Sequence, residues 1–423
     1  MGCSMSSQAK NINVVTSDDT ASTLHKINVV RADDTPILLG SPQNKNRNKD
    51  IQKGFNADKH AEEHIFTEAF EEKDILKMIV GGCDDEKSFL SSNTDAELEG
   101  KDSFAEKDMN MLGNTDEKSK SGLGFTCRKG SKSRPNQDSW LILKTGALSI
   151  YGVFDGHGDD GHSVSNYVKE VLPKLIVKTR VFHYEGCRSS EEIVRTLKGL
   201  FKRMQTIIAA ATKMSKIDAQ LSGCTATIII HDHVQSKLYT AWAGDSAACM
   251  GKKTEWGFAA ARLTKDHTPN VKEERARIEK RGGQVVLDEN NNYRVWDKEH
   301  KYPGLSLSRA LGDIMGNKDA GIIPECSVKV YDITPADEVL LICSDGIWTL
   351  VSCEEALNIV GEFSSSQAAA AAEKLATEAR NRWHQASKVV DDITALVIYL
   401  SPVGGTSEQE RCTSRTSRAS LSL

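Results

Sequence analysis

Aspartates recur in this chain at places where they can do chemistry. Asp155 follows the apolar run at 149–154, Asp245 follows Ala243-Gly244, Asp345 follows Ile342-Cys343-Ser344, and Asp391 and Asp392 precede Ile393. A carboxylate at the end of a strand, next to glycine, approaches a cation from a rigid base while the loop backbone stays close. Hard divalent ions such as Mg2+ and Mn2+ take oxygen ligands of this kind together with several waters. One aspartate in such a place serves a turn or a cap more often than a metal. Four of them at four strand ends point to a cation site.

The elements that must hold these groups are legible as apolar runs. Residues 149–154, 223–230, 237–243, 338–343 and 393–400 read as buried strands, and helical periodicity occupies about 162–180, 190–215, 270–281, 353–361 and 366–385. Pro173 should break or kink the first helix. The strands cluster instead of alternating strictly with helices, which favours antiparallel sheets flanked by helix pairs over a doubly wound parallel sheet.

Composition excludes several function classes. With 39% hydrophobic and 27% charged residues in 423, and no apolar run long enough to span a bilayer, the chain reads as soluble and globular. Its ten cysteines show no CxxC pair and follow no secretory signal, so they read as reduced thiols, not as a zinc site or a disulfide framework. Residues 57–120 carry 18 acidic against 8 basic residues within a total net charge of −5, leaving the rest mildly basic. That pattern gives no nucleic-acid footprint.

Residues 1–121 are polar and poor in aromatics, a composition that reads as mostly disordered. A 15-residue repeat lies within them, Ile12-Asn13-Val14-Val15 recurring as Ile27-Asn28-Val29-Val30, either a drifted duplication or a docking peptide. Ile65, Phe66, Phe70, Ile75, Leu76 and Ile79 are spaced for a short amphipathic helix within 58–80 that packs on the body. Met1-Gly2-Cys3-Ser4-Met5-Ser6 fits the signal for N-myristoylation at Gly2, with Cys3 placed for palmitoylation. One acyl chain binds membranes marginally and two bind stably, so the pair predicts a lipid-anchored protein on the cytoplasmic face of a membrane, with a cytosolic pool. The plain alternative is an unmodified start. Residues 401–423 form a polar tail in which Arg415, Ser417, Arg418 and Ser420 suit basophilic kinases.

Eight blocks carry a family resemblance. They are Pro135-Asn136-Gln137-Asp138, Phe154-Asp155-Gly156-His157-Gly158, Ser222-Gly223-Cys224-Thr225-Ala226, Ala243-Gly244-Asp245-Ser246, Leu263-Thr264-Lys265-Asp266-His267, Leu307-Ser308-Arg309-Ala310-Leu311-Gly312-Asp313, Ser344-Asp345-Gly346-Ile347-Trp348 and Asp391-Asp392-Ile393-Thr394. In this order they resemble the PPM family, the type 2C metal-dependent protein phosphatases, over residues 122–400. Arg294-Val295-Trp296 and Tyr302-Pro303-Gly304-Leu305 are similar to plant and protist members.

The resemblance implies an α/β protein of the α+β type, a central sandwich of two antiparallel β-sheets flanked by pairs of antiparallel helices. It also implies two Mg2+ or Mn2+ ions: Asp155 bridges them, the Gly156 carbonyl binds one, Asp345 and Asp391 complete the other, and Asp138 holds metal-bound water. Two such ions lower the pKa of the water between them, so a hydroxide attacks phosphorus in line without a phosphoenzyme. The substrates implied are phosphorylated proteins, acted on by a monomer. A serine or threonine alkoxide leaves poorly without a proton, which makes His157 the general-acid candidate, although a lone histidine is more often structural. Arg134 suits the phosphate oxygens, against the plain reading of a solvated arginine.

Three departures from the family pattern stand out. Arg134 lies four residues before Asp138 where many relatives place it five before, and Gln137 stands where some members have glutamate. Thr349 stands where animal members often carry an aspartate of a third, weaker metal site, to which Asp245 would still contribute. Residues 268–303 fall where the family has a mobile flap, and Arg275, Arg277, Lys280 and Arg281 there either meet acidic or phosphorylated substrates or form a solvated face. A pseudophosphatase scaffold is the competing class, and the intact acidic set speaks against it.

Overall fold

The computed structural model describes residues 75–79, 86–93, 104–114, 122–182, 189–386 and 389–400. The acylation signal at Gly2 and Cys3, the 15-residue repeat, residues 58–74 and the polar tail lie outside them.

Two antiparallel sheets face each other. Strands β1 (Ser88–Ser92), β2 (Met109–Gly113), β4 (Ser139–Lys144), β5 (Leu148–Phe154), β8 (Ala226–Asp232), β9 (Lys237–Ala243) and β16 (Ser327–Asp332) form a seven-stranded sheet ordered β16-β9-β8-β5-β4-β1-β2. Strands β3 (Leu123–Arg128), β10 (Ala247–Thr254), β11 (Gly257–Arg262), β17 (Asp337–Cys343) and β18 (Ile393–Tyr399) form the other, ordered β11-β10-β17-β18-β3. Successive side chains alternate faces along a strand. Hence Tyr151 and Val153 of β5 join the core between the sheets, with Trp140, Ile342 and Leu396, while Ile150 and Phe154 join the core beneath the helices. With both faces covered, β5 reads as a continuous apolar run.

Each outer face carries a helix pair. Helices α2 (Gly161–Lys178) and α3 (Ser190–Lys213) cover the seven-stranded sheet through Val168, Leu172, Phe201 and Met204. Helices α7 (Cys353–Val360) and α8 (Ala368–Ala386) cover the five-stranded sheet through Ala356, Leu357, Ala372 and Leu375. Each fully buried large apolar side chain contributes about 1.5–3 kcal/mol. The predicted sandwich with flanking helix pairs is the observed fold. No helix among the described residues is long and apolar enough to cross a membrane.

Within residues 1–121 the described stretches are ordered. They include α1 (Ile75–Met78), in the region expected to form a short helix packed on the body, with Ile75 fully buried, and the β1–β2 hairpin, which extends the sheet past β4 and was not expected. The folded body therefore starts well before residue 122. Strand β1 has only two large apolar residues, Phe89 and Leu90, one for each core; its remaining contribution is backbone pairing, to which composition is blind. Of the break or kink expected at Pro173, the break is absent: α2 runs on through Pro173, which is buried in it. Val168, Leu172, Leu175 and Ile176 anchor both sides of the proline on the sheet, and this packing outweighs one lost backbone hydrogen bond.

Smaller elements close the functional end. They are β6 (Gly156–His157), β7 (Gly223–Cys224) and β15 (Leu311–Gly312) in one three-stranded sheet, and α4 (Lys272–Lys280), β12 (Gln284–Leu287), β13 (Tyr293–Trp296), β14 (Pro303–Leu305), α5 (Ile314–Asp319) and α6 (Asp345–Trp348).

Candidate metal centre

All the predicted aspartates lie at one end of the sandwich. Asp155 and Asp245 follow β5 and β9, Asp345 opens α6 just beyond β17, and Asp138 and Asp391-Asp392 precede β4 and β18. Antiparallel pairing makes this inevitable: Ser139 lies opposite Phe154, Ala226 opposite Ala243 and Cys343 opposite Ala395, so starts and ends meet.

Asp155, Asp245 and Asp345 come closest, each offering an oxygen within 4.8 Å of the others. The Asp155 backbone is pinned on both sides, its N–H donating to Thr225 Oγ1 at 3.0 Å and its carbonyl accepting from Thr225 N–H at 2.8 Å. Asp391 borders this trio, its Oδ1 accepting from Lys132 Nζ at 2.5 Å and from Asp392 N–H at 2.9 Å. Asp138 is buried; Ser344 Oγ donates to its Oδ2 at 2.7 Å, and its Oδ1 has no donor in hydrogen-bonding geometry. Asp392 has both oxygens occupied by backbone, Oδ1 by Gly130 N–H and Oδ2 by Gln137 N–H, which makes it an anchor for the Asp138 loop.

These carboxylates are electrostatically frustrated. Withdrawal from water, then Asp345, Asp138, Asp391 and Asp245, push the Asp155 carboxyl well above the usual range. Asp245 rises likewise through burial and Asp345, and Asp345 is pushed up to about 6 by burial and Asp391. Burial and Asp392 raise Asp138. The donor set is all oxygen, it crowds negative charge that a single lysine does not offset, and it includes an orphaned buried oxygen, so it fits hard divalent cations.

Gly156 packs its Cα so tightly that a Cβ would lie 2.4 Å from the Gly161 carbonyl oxygen and 2.6 Å from that of Gln137. Arg134 lies at the rim, half exposed, with Nη1 on the Gly158 carbonyl at 2.8 Å and Nη2 on Asp159 at 2.6 Å. His157 directs Nε2 to Asp313 Oδ2 at 2.7 Å. In the flap region, Arg275 pairs with Glu279 and Arg277 with Glu274, so two of the four basic residues singled out there are engaged within the chain.

Sequence reasoning overlooked four residues at this end: Lys132, Asp313, Ser344 and Lys107. The buried Lys107 belongs to the segment read as disordered, and its Nζ donates to the carbonyls of Asp138 at 2.6 Å and Asn136 at 3.1 Å. Ser344 and Asp313 stood inside recognised blocks, and that placement was the available signal. Nothing in the local sequence marks Lys107.

Comparison with known proteins identifies the family. The family model "Protein phosphatase 2C" matches residues 125–387. Probable protein phosphatase 2C 72 of Arabidopsis thaliana is 32% identical over 287 residues, covering 66% of this chain and 85% of that protein. Probable protein phosphatase 2C 61 of the same plant is 34% identical over 278 residues, covering 63% and 81%. Among solved structures, the serine-threonine phosphatase 2C from Toxoplasma gondii superposes with a TM-score of 0.58 at 19% identity, covering 66% of this chain and 94% of that one, a likeness of fold. The chain belongs to the protein phosphatase 2C family and is a metal-dependent protein serine/threonine phosphatase.

Proposed function

We propose that the chain, acting as a monomer, hydrolyses phosphoserine and phosphothreonine in proteins at a centre for two Mg2+ or Mn2+ ions. Asp155 would serve both, the Gly156 carbonyl one, Asp345 and Asp391 the other, and Asp138 would act through water. Asp245, beside Asp155 and Asp345, would serve a weaker third. Bound there, the cations would offset the charge of the phosphoryl group and activate a water for direct in-line attack. The chain's own groups do the rest: Arg134 receives phosphate oxygens at the rim, and His157 gives a proton to the departing serine or threonine oxygen.

The close trio of unneutralised carboxylates carries this reading. Phosphothreonine-peptide hydrolysis with Mn2+, with and without chelator, tests it; turnover that ignores the chelator sinks it. Calorimetric Mn2+ titration of Asp155→Asn gives a second readout, since loss of binding is expected.

The Gly2-Cys3 pair supports a further part of the proposal. Double acylation of an N-terminal arm would tether the catalytic body, residues 122–400 with the preceding hairpin, to the cytoplasmic face of a membrane. Gly2→Ala should move the protein to the soluble fraction, and an unchanged distribution rejects the anchor.

A further inference from the structure

The sheet of β6, β7 and β15 is too short to carry a core, each strand having two residues. Its register gives it another use. His157 and Gly312 both pair with Gly223, one from each side, so Asp313, the next residue, meets His157 across a glycine. A Cβ on Gly223 would lie 2.3 Å from Asp313 Oδ2 and 2.8 Å from His157 Nε2. Only glycine leaves room for the pair.

Asp313 is costly to place. Its side chain is 1% exposed, one carboxylate oxygen is buried without a partner, and its backbone is left-handed with φ at 44°. An aspartate preceding a helix ordinarily caps it. This one, ahead of α5, makes no side-chain capping bond and turns to His157 Nε2 at 2.7 Å. Helix capping therefore does not account for it, and packing would be met by an apolar residue.

A carboxylate only accepts, so Nε2 carries the hydrogen of that bond. Nδ1 is the ring nitrogen left for the substrate. We propose that Asp313 is a positioning residue: it holds the Nε2–H of His157, fixing ring orientation and tautomer, so that Nδ1 delivers the proton to the departing serine or threonine oxygen. As the P–O bond breaks, its electron pair stays on that oxygen, the Nδ1 proton moves to it, and the ring is left neutral with Nε2–H still on Asp313. This rests on the general-acid reading of His157 given above.

The test compares His157→Ala, Asp313→Ala and the double variant on a phosphothreonine peptide and on p-nitrophenyl phosphate, whose leaving group needs no proton. Each single variant should lose about a hundredfold on the peptide and about ten times less on the aryl ester, the double variant no more than either single. If His157→Ala shifts the peptide-to-aryl ratio and Asp313→Ala does not, positioning by Asp313 is overturned and the general acid stands. If His157→Ala leaves the ratio unchanged, both fall. Nitrogen-15 spectra of the Mg2+-loaded wild-type protein should show neutral His157 protonated at Nε2. The opposite tautomer overturns the proposal even if Asp313→Ala fails to fold.

Discussion

The buried Glu274 and the partly buried trio of Asp155, Asp245 and Asp345 answer the loss of water in opposite ways. Glu274 of α4 is 5% exposed, and it accepts from Ser308 Oγ at 2.6 Å, Arg277 Nη1 at 2.5 Å, and Arg309 through Nε at 3.0 Å and Nη2 at 2.5 Å. Burial opposes its charge, yet the bonds from Arg309, Ser308 and Arg277 hold its carboxyl at about 2. Asp155, Asp245 and Asp345 have no comparable cations, and burial together with mutual repulsion drives their carboxyls upward. Glu274 completes its own electrostatics and ties α4 to the Ser308-Arg309 loop. The aspartates depend on a cation from outside the chain. A saturated acid is structural, and an unsaturated cluster is a receptor.

The largest effect that tests this contrast is on catalysis. Asp155→Ala should lower metal-dependent turnover by at least about a thousandfold. In metal-free protein, Asp155→Asn should leave stability unchanged or raise it, because it relieves repulsion; clear destabilisation in a urea titration with chelator would break the contrast. Glu274→Gln should behave in reverse, costing about 3 kcal/mol of stability while Mn2+ affinity by calorimetry stays put.

Stability against pH should also split. The depressed Glu274 carboxyl contributes stability that is present above its ordinary value of 4.5 and lost as pH falls toward about 2. Asp345 is raised to about 6 from 3.8, so the native metal-free state binds protons first, and stability from this group grows as pH drops from above 6 toward 4. Urea midpoints with chelator at both ends of that window should show a larger gain in wild type than in Asp345→Asn, where the raised carboxyls of Asp155, Asp245 and Asp138 still contribute, and saturating Mg2+ should abolish it. The smallest effect concerns Lys107, which supports the acidic end only through two carbonyls. Lys107→Met should cost about 1–3 kcal/mol in chemical denaturation and leave metal affinity intact.

Much of this was legible. Asp155, Asp245 and Asp345 follow apolar runs whose period-two packing fixes where each strand ends, so their convergence follows from antiparallel pairing. The helices on the outer faces were legible too, because their apolar stripes are long. The β1–β2 hairpin was not. Beyond Phe89 and Leu90, its contribution is main-chain pairing to β4, and Ser88, Ser91 and Ser92 are buried there as fully as any leucine. Asp313 escaped for another reason: its meeting with His157 is set by the register of a three-stranded sheet joining positions 156 residues apart.

That hairpin bears on how the molecule can be cut. A shortened protein spanning only the matched stretch 125–387 would lose β1, β2 and Lys107 at one end and Asp391 with β18 at the other. Strand β4 would become a bare sheet edge ready to pair with a second molecule, and β3 would be parted from β17 by an empty lane. Such a fragment should aggregate, and proteolytic trimming should halt at residues ahead of β1. In this chain the stretch that matches the family and the unit that folds are different lengths of polypeptide.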